Sequence, residues 1–345
     1  MGSLFSYGAI ATKIRSMQAD LLSDNEYREL AMQSSIPEAV AFLRRQPAYQ
    51  SLLSDVDESK LHRGQIEKLL RKTIQQDFSK LYRFADADQR KFLNMYFERY
   101  EVATLKTFLR MLFNQKGGAF DISSSRIIFE KHSQIDIAKL STASTIEEFV
   151  SFLRETPYYP PLIRLESMTS PTLFDYELAL DIYYFTHIWD VLPDVVKGRE
   201  LKDLKVTYGG KIDLLNIQWI YRSRFYYHMS AADIYALIIP VSYRLKKEQL
   251  VHLVESSDEN EFTAVLKTTH YGKIYPQADS HTLEDMYIRL RDNMHAAAVR
   301  KNPYSAAVLD SYLYRKEHEI NKITTALECI RYGLEPSETI KYIIK

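Results

Sequence analysis

Three observations predict an all-α fold. A helical hairpin is written three times along the chain, turn-forming residues are scarce, and apolar residues recur at helical spacing nearly throughout. Glycine and proline together number 21 of 345 residues, about half the share typical of globular domains. No stretch alternates apolar and polar residues in the way a half-buried strand requires.

The hairpin is clearest where Ile36–Leu52 is set against Ile146–Leu162 without a gap, giving nine identities in seventeen positions. Ordinary composition would give roughly one. A weaker third copy begins at Asp258 and keeps Glu261, Leu266, Lys267 and a nearby Tyr271. Ser35, Thr145 and Asp258 stand at one place in the three copies, each followed three residues later by Glu38, Glu148 or Glu261. That pattern predicts a capping box, in which the cap side chain accepts from the third helical amide and the glutamate reaches back to the cap amide. Pro37 suits an early helical position, and Pro47 and Pro157 are expected to end the capped helices. Apolar pairs upstream (Tyr27 and Leu30, Ile137 and Leu140, Leu250 and Leu253) predict a short helix before each capped one.

A second motif follows each hairpin, beginning at Glu101, Asp213 and Glu319. Each copy has an acid and then Leu105, Ile217 or Ile323 four residues on, with later apolar residues at the period of a one-sided buried helix. Arg110 and Arg222 close the first two copies, and Glu328 breaks the pattern in the third. The offsets between copies are 110 and 113 for the hairpin and 112 and 106 for the second motif, so both belong to one repeat. Three helical modules are expected, at residues 1–120, 121–229 and 230–345. A period near 110 is too long for a solenoid unit of roughly 20–50 residues.

Taken in order, Tyr7 to Leu22 reads as an opening helix, followed by the first hairpin and a long helix from about Glu58 to Phe84. Asp86 with Gln89 caps the first motif helix, which is expected to stop at Gly117-Gly118. Asp121 to Ser133 is polar and is the candidate linker. After the second hairpin, a long helix follows Ser170-Pro171, and the second motif helix runs past Trp219 to about His228. Gly209-Gly210 predicts an interruption or bend before it. Ser230 with Asp233 caps a connector into the third hairpin. Thr282–Lys301 and Tyr304–Arg331 then form two more long helices. Gly333 ends the second of these, and Pro336–Ile344 is a short terminal helix.

Composition narrows the function. Zero formal net charge argues against a nucleic-acid binder, which ordinarily carries a basic excess or stripe. A lone Cys329 excludes an internal disulfide and fits a reducing compartment. The longest apolar run, near Ile234, is far short of a bilayer span, and with no secretory signal the chain reads as soluble and cytoplasmic. The opening MGSLFS fits an N-myristoylation pattern at Gly2 and Ser6. The plainer reading is a chance match to a short pattern, or residues left by an expression tag.

No catalytic constellation emerges. Gly210-Lys211 lacks the rest of a phosphate loop, and the nine histidines offer no pair four apart on one helix face. Cys329 has no partner cysteine and reads as packing. The run Tyr221 to Tyr227 could stack and bind phosphate, or its aromatics could pack while its arginines reach to solvent. The matched polar pairs Glu101 with Arg110 and Asp213 with Arg222 admit two readings. They satisfy helix ends in a core between hairpin and long helix, or they line a central surface made by three related modules. No cofactor or metal is expected.

Several stretches together resemble one family. Tyr7-Gly8-Ala9 followed by Arg15, Met17 and Leu21-Leu22, the thrice-used hairpin, IDLLNIQWIYR at Ile212–Arg222 and EHEINKI at Glu317–Ile323 are similar to the C-subunit family of rotary V/A-type ATPases. That family is the prokaryotic relative of the d-type subunit of eukaryotic V-ATPases. The resemblance runs from about Tyr7 to Ile344. It implies a pseudo-threefold funnel of helices, without catalysis of its own, on the cytoplasmic face of a membrane rotor ring. The funnel would receive the central shaft, the D- and F-type subunits, and couple ATP turnover to proton or sodium transport. Such a protein is expected to be a monomer in isolation, peripheral to the membrane and bound to no nucleic acid. Glu101, Arg110, Asp213, Asn216 and Arg222 are the residues expected along the hollow. A helical scaffold or RNA-binding protein is the alternative, and an all-helical carboxylate enzyme is a third reading.

Overall fold

The computed structural model describes residues 2–54, 56, 63–114, 122, 125–279 and 282–344, and among them every regular element is helical. The chain opens with α1 (Gly2–Gln18), α2 (Asp24–Ala31), α3 (Ile36–Arg44), α4 (Pro47–Leu53) and α5 (Arg63–Phe84). It continues through α6 (Ala87–Phe113), α7 (Arg126–His132), α8 (Ile137–Leu140), α9 (Ile146–Phe152) and α10 (Tyr159–Ile163). Two long helices follow, α11 (Leu173–Val195) and α12 (Gly198–Tyr221), then α13 (Ala231–Leu237), α14 (Lys247–Glu255), α15 (Glu259–Thr268) and α16 (His270–Ile274). The last elements are α17 (Leu283–Lys301), α18 (Ala306–Arg331) and α19 (Pro336–Ile343). The expected start of the fifth helix near Glu58 and the Gly117-Gly118 stop lie outside the described residues.

Each hairpin carries one short helix more than expected, because the chain turns back into α4, α10 or α16. Pro47 opens α4 as well as ending α3: it sits at a first helical position, where a missing amide costs little. The caps of α3, α9 and α15 form on Ser35, Thr145 and Asp258. The glutamate, however, reaches one residue further back than a capping box requires. Glu38 accepts from the amide of Ser34 at 3.0 Å, Glu148 from Ser144 at 2.9 Å and Glu261 from Ser257 at 2.7 Å. A serine precedes the cap in all three copies, so the same two orphan donors are satisfied three times. Caps of this kind contribute on the order of 1 kcal/mol each.

The chain folds into two compact units. The first contains Met1–Gln89 and Val299–Lys345, the second Arg90–Ala298. In the first, α18 packs on α1, α2, α3 and α5, and its buried Leu309, Tyr312, Leu313, Ile320 and Ile323 recur at helical spacing. Gly333, at φ +68°, ends α18 as expected: the amides of Gly333 and Leu334 donate to the carbonyls of Ile330 and Cys329 at 3.0 Å each. Only glycine takes that left-handed position without cost.

In the second unit, Leu214, Ile217 and Ile220 of α12 share a core with Leu253, Phe262, Leu266, Met286 and Leu290. Two expectations are corrected here. The candidate linker carries α7, whose Ile128 and Phe129 are buried; three consecutive apolar residues outweigh the polar flanks. And α12 runs unbroken through Gly209-Gly210. The glycines permit close approach and introduce no bend: a Cβ at 209 would lie 2.5 Å from the ring of Tyr243 and 2.9 Å from Trp189, and one at 210 would lie 2.5 Å from Met294 Sδ.

Gly209→Ala is therefore expected to destabilise the protein by ~1–2 kcal/mol, because overpacking outweighs the gain in helix propensity. Gly8→Ala in α1, with nothing within 4 Å of its new Cβ, should instead be neutral or stabilising by up to ~1 kcal/mol. Urea midpoints of the two variants should move in opposite directions. A gain for Gly209→Ala would refute the close-approach reading.

Candidate functional site

The acid that opens each copy of the second motif, well inside its long helix, accepts a hydrogen bond from a buried tyrosine of a hairpin, and in each case the hairpin is that of the next repeat. In joint I, Glu101 on α6 accepts from the hydroxyl of Tyr158, at the start of α10, at 2.6 Å, and also from the hydroxyl of Ser133. In joint II, Asp213 on α12 accepts from Tyr271 on α16 at 2.6 Å. In joint III, Glu319 on α18 accepts from Tyr49 on α4. Joint III ties the last motif helix to the first hairpin, within the first compact unit.

The three carboxylates are satisfied differently. Asp213, 0% exposed, also collects the amides of Tyr243 at 3.1 Å, Arg244 at 2.6 Å and Leu245 at 3.0 Å. Three consecutive amides turned on one carboxylate form an anion-binding concavity in the loop before α14. One turn along α12, Asn216 clamps the same loop, donating to the carbonyl of Ile239 at 3.1 Å and accepting from its amide at 3.0 Å. Glu319 takes the amide of Leu22 at 2.6 Å and the ammonium of Lys316 at 2.9 Å. Lys316 is 1% exposed, donates to Tyr49 at 3.1 Å and lies 4.5 Å from the centre of its ring. Glu101 is met by two hydroxyls, with no amide or ammonium on it among the described residues.

Burial drives the titration of these groups. It raises Glu101 above the ordinary glutamate value, against the hydrogen bonds from Ser133 and Tyr158 that pull it down, and the charge of Glu98 adds to the rise. Tyr49, Tyr158 and Tyr271 are pushed well above the ordinary phenol value by burial and by their carboxylate partners, so they stay protonated donors. Burial also pushes up the Cys329 thiol, which stays protonated at neutral pH.

Of the residues expected along a hollow, Glu101, Asp213 and Asn216 are thus buried and hold hairpin or loop to helix. Arg110 and Arg222 lie at the surface, 55% exposed each by side chain, paired with Glu177 at 2.5 Å and Glu284 at 3.0 Å. In the aromatic-basic run, Tyr221 is buried while Tyr226 and Tyr227 are exposed, and Arg224 donates to the carbonyl of Ser256 at 3.1 Å.

Sequence reasoning passed over the tyrosines and Glu319. The motif alignment already placed Glu319 with Glu101 and Asp213. The tyrosine was obscured by register: the ungapped alignment pairs Tyr49 with Tyr159, whereas the structure uses Tyr158, because α3 has nine residues and α9 has seven.

Among the described residues no group of three or more His, Cys, Asp or Glu could hold a metal ion, and no helix is long and apolar enough to cross a membrane. What the joints do is mechanical: each fastens a hairpin to a long helix through a buried, charge-assisted hydrogen bond.

Fold and joints together define an all-helical protein in which each motif acid is fastened to a tyrosine of a hairpin. The chain belongs to the ATP synthase (C/AC39) subunit family, whose profile matches residues 10–342. It is similar to the C-type subunit of the A-type ATP synthase of Methanosphaera stadtmanae, 23% identical over 349 residues that cover 96% of this chain and 86% of that one. The Thermococcus kodakarensis protein of the same description is 25% identical, covering 96% of this chain and 88% of that one. The Methanosarcina mazei counterpart is 24% identical, covering 97% and 92%.

Proposed function

We propose that this chain is the non-catalytic central-stalk adaptor of a rotary V/A-type ATPase, joining D- and F-type shaft proteins to the membrane rotor ring. It would sit as a peripheral protein on the cytoplasmic face, so that ATP turnover in the head is coupled to ion transport in the ring. The observation that carries this reading is the cyclic offset of the three joints. Each motif helix is fastened to the hairpin of the next repeat, and the last is fastened to the first. A closed pseudo-threefold funnel needs that connectivity, and a torque-bearing body needs hairpins that do not slide on their helices. On this reading Glu101, Asp213 and Asn216 act from inside the wall, and the exposed Arg110 and Arg222 are the members of the set proposed to meet a partner.

The purified chain is expected to capture the shaft pair as a monomer. Its deletion should leave ATP hydrolysis by the soluble head while abolishing the ion transport coupled to it. Fully coupled pumping in the deletion would overturn the assignment. Arg110→Glu combined with Arg222→Glu should weaken capture roughly tenfold, mainly through slower association at low salt, with an unchanged melting temperature.

A further inference from the structure

Joint I differs from its two counterparts at the position three residues before the acid. That position holds Lys316 in joint III and Gly210 in joint II, but Glu98 in joint I. Where joint III seats an ammonium between carboxylate and phenol, joint I therefore has a second carboxylate on the same helix face. Instead of being sealed, it opens on a cleft of about 500 Å³ lined by Lys91, Glu98, Glu101, His132, Tyr158 and His187. Facing Glu98 is the imidazole of His187 on α11, with its Nε2 at 3.4 Å. The His187 ring stacks on Tyr183 at 5.4 Å, and Tyr183 meets Tyr158 edge-on at 5.4 Å.

We propose that joint I is a proton-dependent clamp: a proton on His187 holds hairpin II (α8–α10) to α6 and α11, and its loss loosens that hairpin alone. The neighbouring charges act in the same sense. With His187 neutral, Glu98 and Glu101 repel one another from adjacent turns of α6; with His187 charged, Glu98 is paired and Tyr158 keeps its place on Glu101. From α6 the groups facing the joint are Lys91, Glu98 and Glu101. From α7 and the turn after it come His132 and Ser133, from the start of α10 Tyr158, and from α11 Tyr183, His187 and Asp190. The hydrogen bond and charge of Glu98 raise His187 above its ordinary 6.5, against burial. Glu101 is raised above 4.5, chiefly by burial. Burial, with the charge of Lys131, lowers His132.

The sign follows. A group raised on folding contributes stability that is complete below its unfolded value and is lost as pH rises through its folded value. His187 is raised, so a proton there tightens the joint, whereas the rise of Glu101 comes from burial, against the hydrogen bonds of the joint itself. For His187 the loss begins above pH 6.5. Glu319 of joint III is paired with a lysine three residues before it on α18, so hairpin I (α2–α4) is the built-in comparison.

The test is amide hydrogen exchange on the full-length protein at pH 6.0 and pH 8.0, corrected for intrinsic exchange rates. Protection then reports local opening. Amides of Ile137–Ile163 should lose protection at least threefold more than those of Asp24–Leu53 on going to pH 8.0. In His187→Gln, hairpin II should be loose at both pH values; in Glu98→Gln, which removes the repulsion and is tolerated at a half-buried site, it should be protected at both. Parallel behaviour of the two hairpins in the wild type would overturn the proposal, as would a wild-type pH response in Glu98→Gln. The proposal does not depend on the adaptor reading, since every readout is made on the isolated chain.

Discussion

Asp213→Ala is expected to destabilise the protein by about 3–5 kcal/mol, seen as a lower urea midpoint. The substitution leaves three backbone amides and the hydroxyl of Tyr271 facing a void in a site with no solvent exposure. Each unsatisfied buried donor costs about 1–3 kcal/mol, and partial collapse of the loop before α14 recovers some of that. Asp213→Asn keeps one acceptor but turns an amide group toward donors, so an intermediate loss of about 2 kcal/mol is expected. Tyr271→Phe removes one hydrogen bond and should cost about 1 kcal/mol. The order of the three carries the information. If Tyr271→Phe proved as damaging as Asp213→Ala, the single hydroxyl contact, and not the carboxylate's role as organiser of the three loop amides, would be what holds this joint.

Glu319→Ala should be similarly severe, at about 3–5 kcal/mol, because it strands the ammonium of Lys316 in the interior. Lys316 would keep only the hydroxyl and ring face of Tyr49, and the Leu22 amide would lose its acceptor. Converting the pair together, as Lys316→Met with Glu319→Leu, removes both charges and should recover most of the loss, ending within about 2 kcal/mol of the wild type. Limited proteolysis offers an independent readout, since hairpin I should become the first region cut in Glu319→Ala and be protected again in the double variant. A double variant no better than the single one would mean that the ion pair contributes more than burial of apolar groups can replace.

Most of the helical plan could be read before any coordinates. The caps at Ser35, Thr145 and Asp258, the Gly333 stop and the apolar stripes of the motif helices are local signals, because the groups that interact lie within one or two turns of each other. Even there, the serine before each cap carries no signal of its own, since a capping box is complete without it. The two corrected elements failed for a shared reason. Polar flanks hid the buried Ile128-Phe129 pair, and a glycine pair resembled a bend, until Trp189, Tyr243 and Met294 were seen pressed against it. The candidate residues divided along the same line: the alignment found the acids, but not whether each faced solvent, a loop or a tyrosine.

The sequence by itself determined the helical class, the capped helix starts and the acid at the head of each motif, because periodicity and capping are written in neighbouring residues. Only the tertiary structure decided that each acid serves the hairpin of the following repeat and that the last serves the first. It alone decided that one joint is sealed by amides, one by a buried lysine and one left open beside a histidine. The tyrosine contacts join residues 57 to 270 positions apart, and no local pattern of side chains encodes which distant partner will come to meet a buried charge.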